Sequence, residues 1–151
     1  MGTVTIRAAT TADAPTISAL IQRTIRITNS HDYGREIVDL ICTNFTVEKV
    51  VQKMAERDVF VCFQDDVLAG TISLGDDKLH SLFVEPCLQR RGVGTLLVEY
   101  LEKHAIRRGF SLLRLSSSIT ARPFYESLGY QLIRFEERKD GSTFLMSKTL
   151  I

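Results

Sequence analysis

Apolar and polar positions divide the chain into short periodic segments. Residues 3–7 alternate and are β-branched, which predicts a first strand. Apolar residues then recur at helical spacing at Ile17, Leu20, Ile21 and Ile25, with Thr10 or Thr11 placed to cap and Asp13 in the first turn. Over 28–46 the pattern weakens. A polar stretch from Asn29 through His31, Asp32 and Tyr33 to Gly34 precedes Ile37, Leu40 and Ile41, which predicts a mobile loop and a short helix. Val47, Val50, Val51 and Met54 form another stripe behind Thr46 as N-cap.

The next segments change period. Residues 59–63 and 67–74 are β-rich runs joined by Gln64, Asp65 and Asp66, the chemistry of a hairpin turn, and a further turn at 75–77 leads to a strand at 78–84. Three consecutive antiparallel strands are expected there. Over 92–108, Val93, Leu97, Leu101 and Ala105 return to helical spacing, with Arg107 and Arg108 in the last turn and Gly109 placed for a C-cap. A strand at 112–116, a short helix at 121–128 ended by Gly129, and two strands around the Asp140–Gly141 turn complete the chain. The predicted order is β-α-α-β-β-β-α-β-α-β-β, a mixed α/β architecture.

Composition narrows the class. The chain has 151 residues, no internal repeat and no low-complexity tract, so one domain spanning 1–151 is expected. Nineteen Lys and Arg against eighteen Asp and Glu leave a charge of +1, which gives no general attraction to nucleic acid or to an anionic membrane. A nucleic-acid reading built on Arg90, Arg91, Arg107 and Arg108 is weak for the same reason. The three cysteines, Cys42, Cys62 and Cys87, form no CxxC pair, and no histidine stands at zinc spacing, so neither a disulfide framework nor a metal site is expected. No apolar run exceeds the five residues of 59–63, against the ~20 of a spanning helix, and the first twelve residues lack an apolar signal core. A cytoplasmic protein is the simplest expectation.

The most informative stretch is Gln89, Arg90, Arg91, Gly92, Val93, Gly94, between a strand and the start of the long helix. First-turn amides of a helix lack internal partners and sit at the positive end of the dipole, and glycine at 92 and 94 lets an anion approach. The stretch matches neither the P-loop nor the GxGxxG fingerprint. A turn-forming glycine pair is the competing reading.

The longer passage from Leu82, Val84 and Pro86 through Gln89, Gly92 and Gly94 resembles the acetyl-coenzyme A binding motif of the GNAT N-acetyltransferase superfamily, [QR]xxGx[GA] after a strand. A second passage, Ala121, Arg122, Pro123, Phe124, Tyr125, Glu126, Ser127, Leu128, Gly129, is similar to that family's AxxFYxxxGF helix. The resemblance covers essentially the full chain. It implies a GNAT-like fold, a central mixed, mostly antiparallel sheet of about seven strands flanked by about four helices. It also implies acetyl-CoA as co-substrate, without a metal, and transfer of its acetyl group to a primary amine by direct attack. The acceptor is expected to be a small molecule, with neither nucleic acid nor membrane as partner; a homodimer stays open.

Site residues follow by the same resemblance. Gln89, Arg90, Arg91, Gly92, Val93, Gly94 and Thr95 would bind the cofactor, with its pyrophosphate on the amides of 91–95. The strand at 78–84 is expected to splay from its neighbour by a bulge, freeing backbone at Leu82, Phe83 and Val84 for pantetheine, with the Leu82 amide as oxyanion donor. Ser118 stands where many members carry Asn and would contact pantetheine with fewer groups, and Phe124 would pack on the coenzyme or the core. Tyr125 is the expected general acid, a phenol of pKa ~10 suited to protonating a thiolate; a hydroxyl-tipped core aromatic is the alternative. His80 reads as sharing a strand face with Leu82 and Val84, and resembles a histidine at equivalent spacing in animal arylalkylamine N-acetyltransferases. Its base role competes with a solvent-facing position, with Glu85 or Glu126, and with a water chain. His104 reads as a solvated-face residue. His31 and Tyr33 fall where the family forms one wall of the acceptor pocket. A non-catalytic acetyl-CoA sensor is the alternative function, and Tyr125 separates the two because a pure binder needs no acid there.

Overall fold

Strands β1 (Val4–Ala8), β2 (Asp58–Gln64), β3 (Val67–Gly75), β4 (Lys78–Val84), β5 (Leu112–Ser117), β6 (Gln131–Glu136) and β7 (Thr143–Thr149) form one sheet in the order β1-β2-β3-β4-β5-β7-β6. The structure, a computed structural model, describes residues 3–31, 33–89, 91–137 and 143–151. Every neighbouring pair is antiparallel except β4 and β5, which run parallel. The Asp140–Gly141 turn between β6 and β7 lies outside the described residues.

Between β1 and β2 the chain makes α1 (Ala14–Thr28), α2 (Arg35–Cys42) and α3 (Val47–Glu56). With α4 (Val93–Arg107) and α5 (Arg122–Ser127) the described residues hold five α-helices, where about four were expected. The short helix read within 28–46 is α2, and 3-10 turns at Asn29–His31 and Thr43–Phe45 flank it where mobile loop was expected. Its inward positions are Val38 and Cys42, one turn apart, while Leu40 stays 45% exposed. The caps read from sequence form: Asp13 accepts from the Thr10 amide at 2.8 Å, and Thr46 Oγ1 accepts from the Lys49 amide at 3.3 Å.

Two apolar clusters clamp the sheet. On one face Ile72, Leu74, Leu79, Leu113 and Leu115 pack with Leu97, Leu101 and Ala105 of α4 and with Tyr125 of α5. On the other, Val61 packs with Ile17, Leu20, Ile21 and Ile25 of α1, with Val38 and Cys42 of α2, and with Val50 of α3. Each fully buried Leu or Ile contributes roughly 1.5–3 kcal/mol, so both clusters hold the strands that frame the site.

Candidate functional site

The site begins where two parallel strands part. β4 and β5 pair only at Lys78↔Arg114 and Leu79↔Leu115. That end is pinned by Asp77 and Arg114. The Arg114 amide donates to the Asp77 carbonyl at 2.8 Å, and the guanidinium donates to both carboxylate oxygens at 2.9–3.2 Å. The ion pair holds the Asp77 carboxyl below its ordinary range. Above the pin β4 bulges: Ser73 faces His80 and Thr71 faces Phe83, so three steps on β4 match two on β3. Ser81 absorbs the bulge in the left-handed region at φ +54°. The expected splay is therefore present.

The bulge also reverses the side-chain alternation and corrects one expectation. Leu79 packs on the α4 side before the bulge, and Leu82 and Val84 pack there after it, whereas Phe83 joins the α1 side. His80 thus lies on the opposite face from Leu82 and Val84, half-buried near Arg57 of the α3 C-terminus. Burial, then the charges of Arg57, Lys78 and Lys53, push its pKa down to about 4, so the imidazole is neutral at neutral pH.

At the far end of β4 the chain turns into α4 through Gly92, at φ +85° and ψ 0°, with no side chain capping the helix. The first intrahelical bond runs from the Leu96 amide to the Gly92 carbonyl at 3.0 Å. The amides of Val93, Gly94 and Thr95 precede it and form the positive end of a 15-residue helix with no acidic residue in its first turn. The Val93 side chain is core, so only its backbone faces the cradle. A Cβ built at Gly94 would lie 3.2 Å from Phe124 Cζ and 3.6 Å from Val84 Cγ2. The glycine motif and the second motif thus meet across the end of β4. Arg91 is exposed beside the cradle, and Arg90 lies outside the described residues. Gln89 spends its side-chain amide internally, donating to the Val84 carbonyl at 3.2 Å and to Thr28 Oγ1 at 3.3 Å.

Tyr125 is 6% exposed, its ring edge-on to Phe124 at 5.3 Å and to Tyr130 at 5.9 Å. Burial raises its phenol above the ordinary value, so the proton is retained over the whole neutral range. Ser118 Oγ accepts from the Ala121 amide at 3.1 Å and so caps the turn into α5, leaving its O–H free to donate. Tyr33 is half-buried, and its hydroxyl accepts from the Ile119 amide at 3.3 Å, joining the α1–α2 connection to the β5–α5 connection. His31 is exposed nearby in sequence.

The alternative bases are otherwise engaged. Glu85 is ion-paired with Arg23, and Glu126, exposed on α5, lies 3.5 Å from Arg122 one turn earlier. His104 is not a solvated-face residue: its Nε2 is 2.9 Å from Asp58 Oδ2 and its ring packs on Phe60. Burial raises the thiols of Cys42 and Cys62, and Cys87 is exposed beside Glu85. Sequence reasoning missed the Asp77–Arg114 pin, although an arginine inside the apolar strand Leu112–Ser117 signals a carboxylate partner on a neighbouring segment.

Comparisons with known proteins bear on the family and the fold. The sequence model of the acetyltransferase (GNAT) domain matches residues 29–150. An uncharacterized N-acetyltransferase of Escherichia coli K12, YafP, is 28% identical over 134 residues, covering 89% of this chain and 85% of its own. The crystal structure of a GCN5-related N-acetyltransferase from Rhodopseudomonas palustris superposes with a TM-score of 0.92 at 25% identity, over 99% of this chain and 97% of that one. The PaiA N-acetyltransferase from Thermoplasma acidophilum, crystallised with coenzyme A, superposes with a TM-score of 0.81 at 22% identity, over 97% and 99% of the two chains. The family match over most of the chain shows that this protein is an acyltransferase belonging to the GNAT acetyltransferase family.

Proposed function

We propose that the chain transfers an acetyl group from acetyl-CoA to a primary amine of a small molecule, by direct attack within a ternary complex. The observation that carries this reading is the convergence at one cleft of three parts. These are a splayed β4, an uncapped glycine-rich helix start, and Phe124, which packs against that start with Tyr125 edge-on behind it. The fit to the co-substrate rests on that start: a left-handed Gly92 and a Gly94 with no room for a side chain leave three amides open to an anion.

The residues divide the work by chemistry. Amides of 91–95 bind the pyrophosphate, with Arg91 adding charge. Backbone at Leu82, Phe83 and Val84, released from β5, pairs with pantetheine as an added strand, and the Leu82 amide donates to the oxygen on which charge develops. Ser118 donates its hydroxyl to a pantetheine carbonyl. Tyr125, always protonated, donates to the departing sulfur. His80, a neutral imidazole, accepts a hydrogen bond from the amine and passes its proton to water; with so low an affinity it relays the proton without retaining it. His31 and Tyr33 line the acceptor side.

Initial velocities with both substrates varied test the order of events. A ternary complex requires intersecting double-reciprocal lines, and parallel lines would indicate an acetylated enzyme. The raised thiols of Cys42 and Cys62 favour the first outcome.

A further inference from the structure

The face of the sheet that carries His80 also carries a group of cations without carboxylate partners. Lys53 of α3 reaches down to a small cavity of about 20 Å³ between the helices and the sheet, which Ser73 and Ser81 also line. Its ammonium donates to the Asn44 carbonyl and stands 4.2 Å from the Phe45 ring centroid. Arg57, at the C-terminal end of the same helix, lies along Gly75 beside His80. A Cβ built at Gly75 would be 3.2 Å from both Arg57 Cγ and His80 Cδ2. Both cations are partly buried, and neither has a carboxylate within salt-bridge distance among the described residues. Glu56 is exposed between them in sequence and offsets part of their charge.

The arrangement is costly unless something negative completes it. Burial lowers both groups, and at Lys53 the charges of Arg57 and Lys49 lower it further while Glu56 offsets part of the effect. Lys78, two residues before His80, adds to the same positive field, while Asp77 is engaged bidentately by Arg114. Lys53 and Arg57 of the α3 end pack over the face of β4 that carries His80, opposite the face on which Leu82 and Val84 meet α4, and beside the bulge at Ser81.

We infer that Lys53 and Arg57 form an anion-binding subsite beside His80, and that the acceptor is an amine carrying a carboxylate or phosphate. The inference rests on the proposed transfer reaction. The positive field has a second effect on the same substrate: it lowers the affinity of the acceptor ammonium for its proton, so a larger fraction of the bound amine is neutral and able to attack. A second ammonium on the acceptor would meet only repulsion, which sets polyamines apart from amino acids and aminoalkyl phosphates.

The test compares kcat/KM for coenzyme A release across matched amines with saturating acetyl-CoA. The carboxylate arm is an ω-amino acid, its carboxamide and its decarboxylated amine. The phosphate arm is O-phosphoethanolamine and ethanolamine, with spermidine as the polycation. The anionic member should exceed its neutral counterpart by at least about tenfold, the scale of a charge-assisted hydrogen bond, with spermidine slowest. Whichever arm shows the larger preference identifies the anion. Lys53→Gln and Arg57→Gln should erase the preference by raising KM for the anionic amine alone, and Lys53→Arg should restore it; the wild-type ranking needs no variant to fold. A wild-type preference for neutral or polycationic amines overturns the inference and leaves the transfer reaction standing, as does a preference that survives both variants. Acetyl-CoA binding without acetylation of any amine overturns the transfer reaction, and the inference with it.

Discussion

Replacing Tyr125 by Phe removes one hydroxyl from the centre of the cleft, and the structure separates its effect on stability from its effect on rate. The ring is 6% exposed and contacts Phe124 and Tyr130, contacts that phenylalanine retains. Among the described residues no hydrogen bond involves the hydroxyl, so the fold loses no internal bond. The hydroxyl is not among the fully buried unpartnered side-chain atoms, so neither an internal bond nor a desolvation penalty changes with its removal, and Tyr125→Phe should melt within about 0.5 kcal/mol of the parent. Rate should fall. A positioned general acid contributes about 10²-fold or more, which is about 2.7 kcal/mol of barrier at 1.36 kcal/mol per tenfold. Single-turnover release of coenzyme A thiol measures that step, and calorimetry should find acetyl-CoA affinity nearly unchanged. An unchanged single-turnover rate, with chemistry shown to be limiting, would refute the acid role and make Tyr125 a core aromatic.

Four further outcomes follow from the geometry. Gly94→Glu places a side chain against Phe124 and a negative charge at the anion cradle, and calorimetric binding of acetyl-CoA should be lost; parent-like affinity would put the cradle elsewhere. Gly92→Ala meets no atom within 4 Å but must adopt φ +85°, so it should cost roughly 1–2 kcal/mol from backbone strain alone, read as a lowered melting temperature. His80 has a folded pKa of about 4 against 6.5 ordinarily, so its acid limb in the rate profile should lie near pH 4 and vanish in His80→Gln. Because the unfolded chain binds the His80 proton first, stability should fall as pH drops from about 6.5 to about 4, and His80→Gln should flatten that part of the curve.

Much of the frame was legible because it is local. The glycine pair, the cap at Thr46 and the stripe of α4 each follow from short-range chemistry, and the structure places them at Gly92, Lys49 and Val93–Arg107 as read. What could not be read was set by tertiary contacts. A period of two assumes an uninterrupted strand, so the turn of Ser81 into the left-handed region, imposed by pairing with β3, moved His80 to the other face. In α2 the polar run at its start hid which apolar residues point inward, and the docking of α1 chose Val38 and Cys42 over Leu40. His104 lost its expected solvation to Asp58, 46 residues distant in sequence, through a contact that periodicity does not carry.

The most direct measurement incubates the purified protein with acetyl-CoA, with and without an accepted primary amine, and follows thiol release, small-molecule products and intact protein mass together. Direct transfer predicts one N-acetylated amine for each coenzyme A released, little release without amine, and no acetyl group on the protein at any time. Acetylation of the chain by acetyl-CoA alone, followed by its loss when amine is added, would contradict the ternary mechanism, and binding of acetyl-CoA with no amine acetylated would contradict the transfer itself.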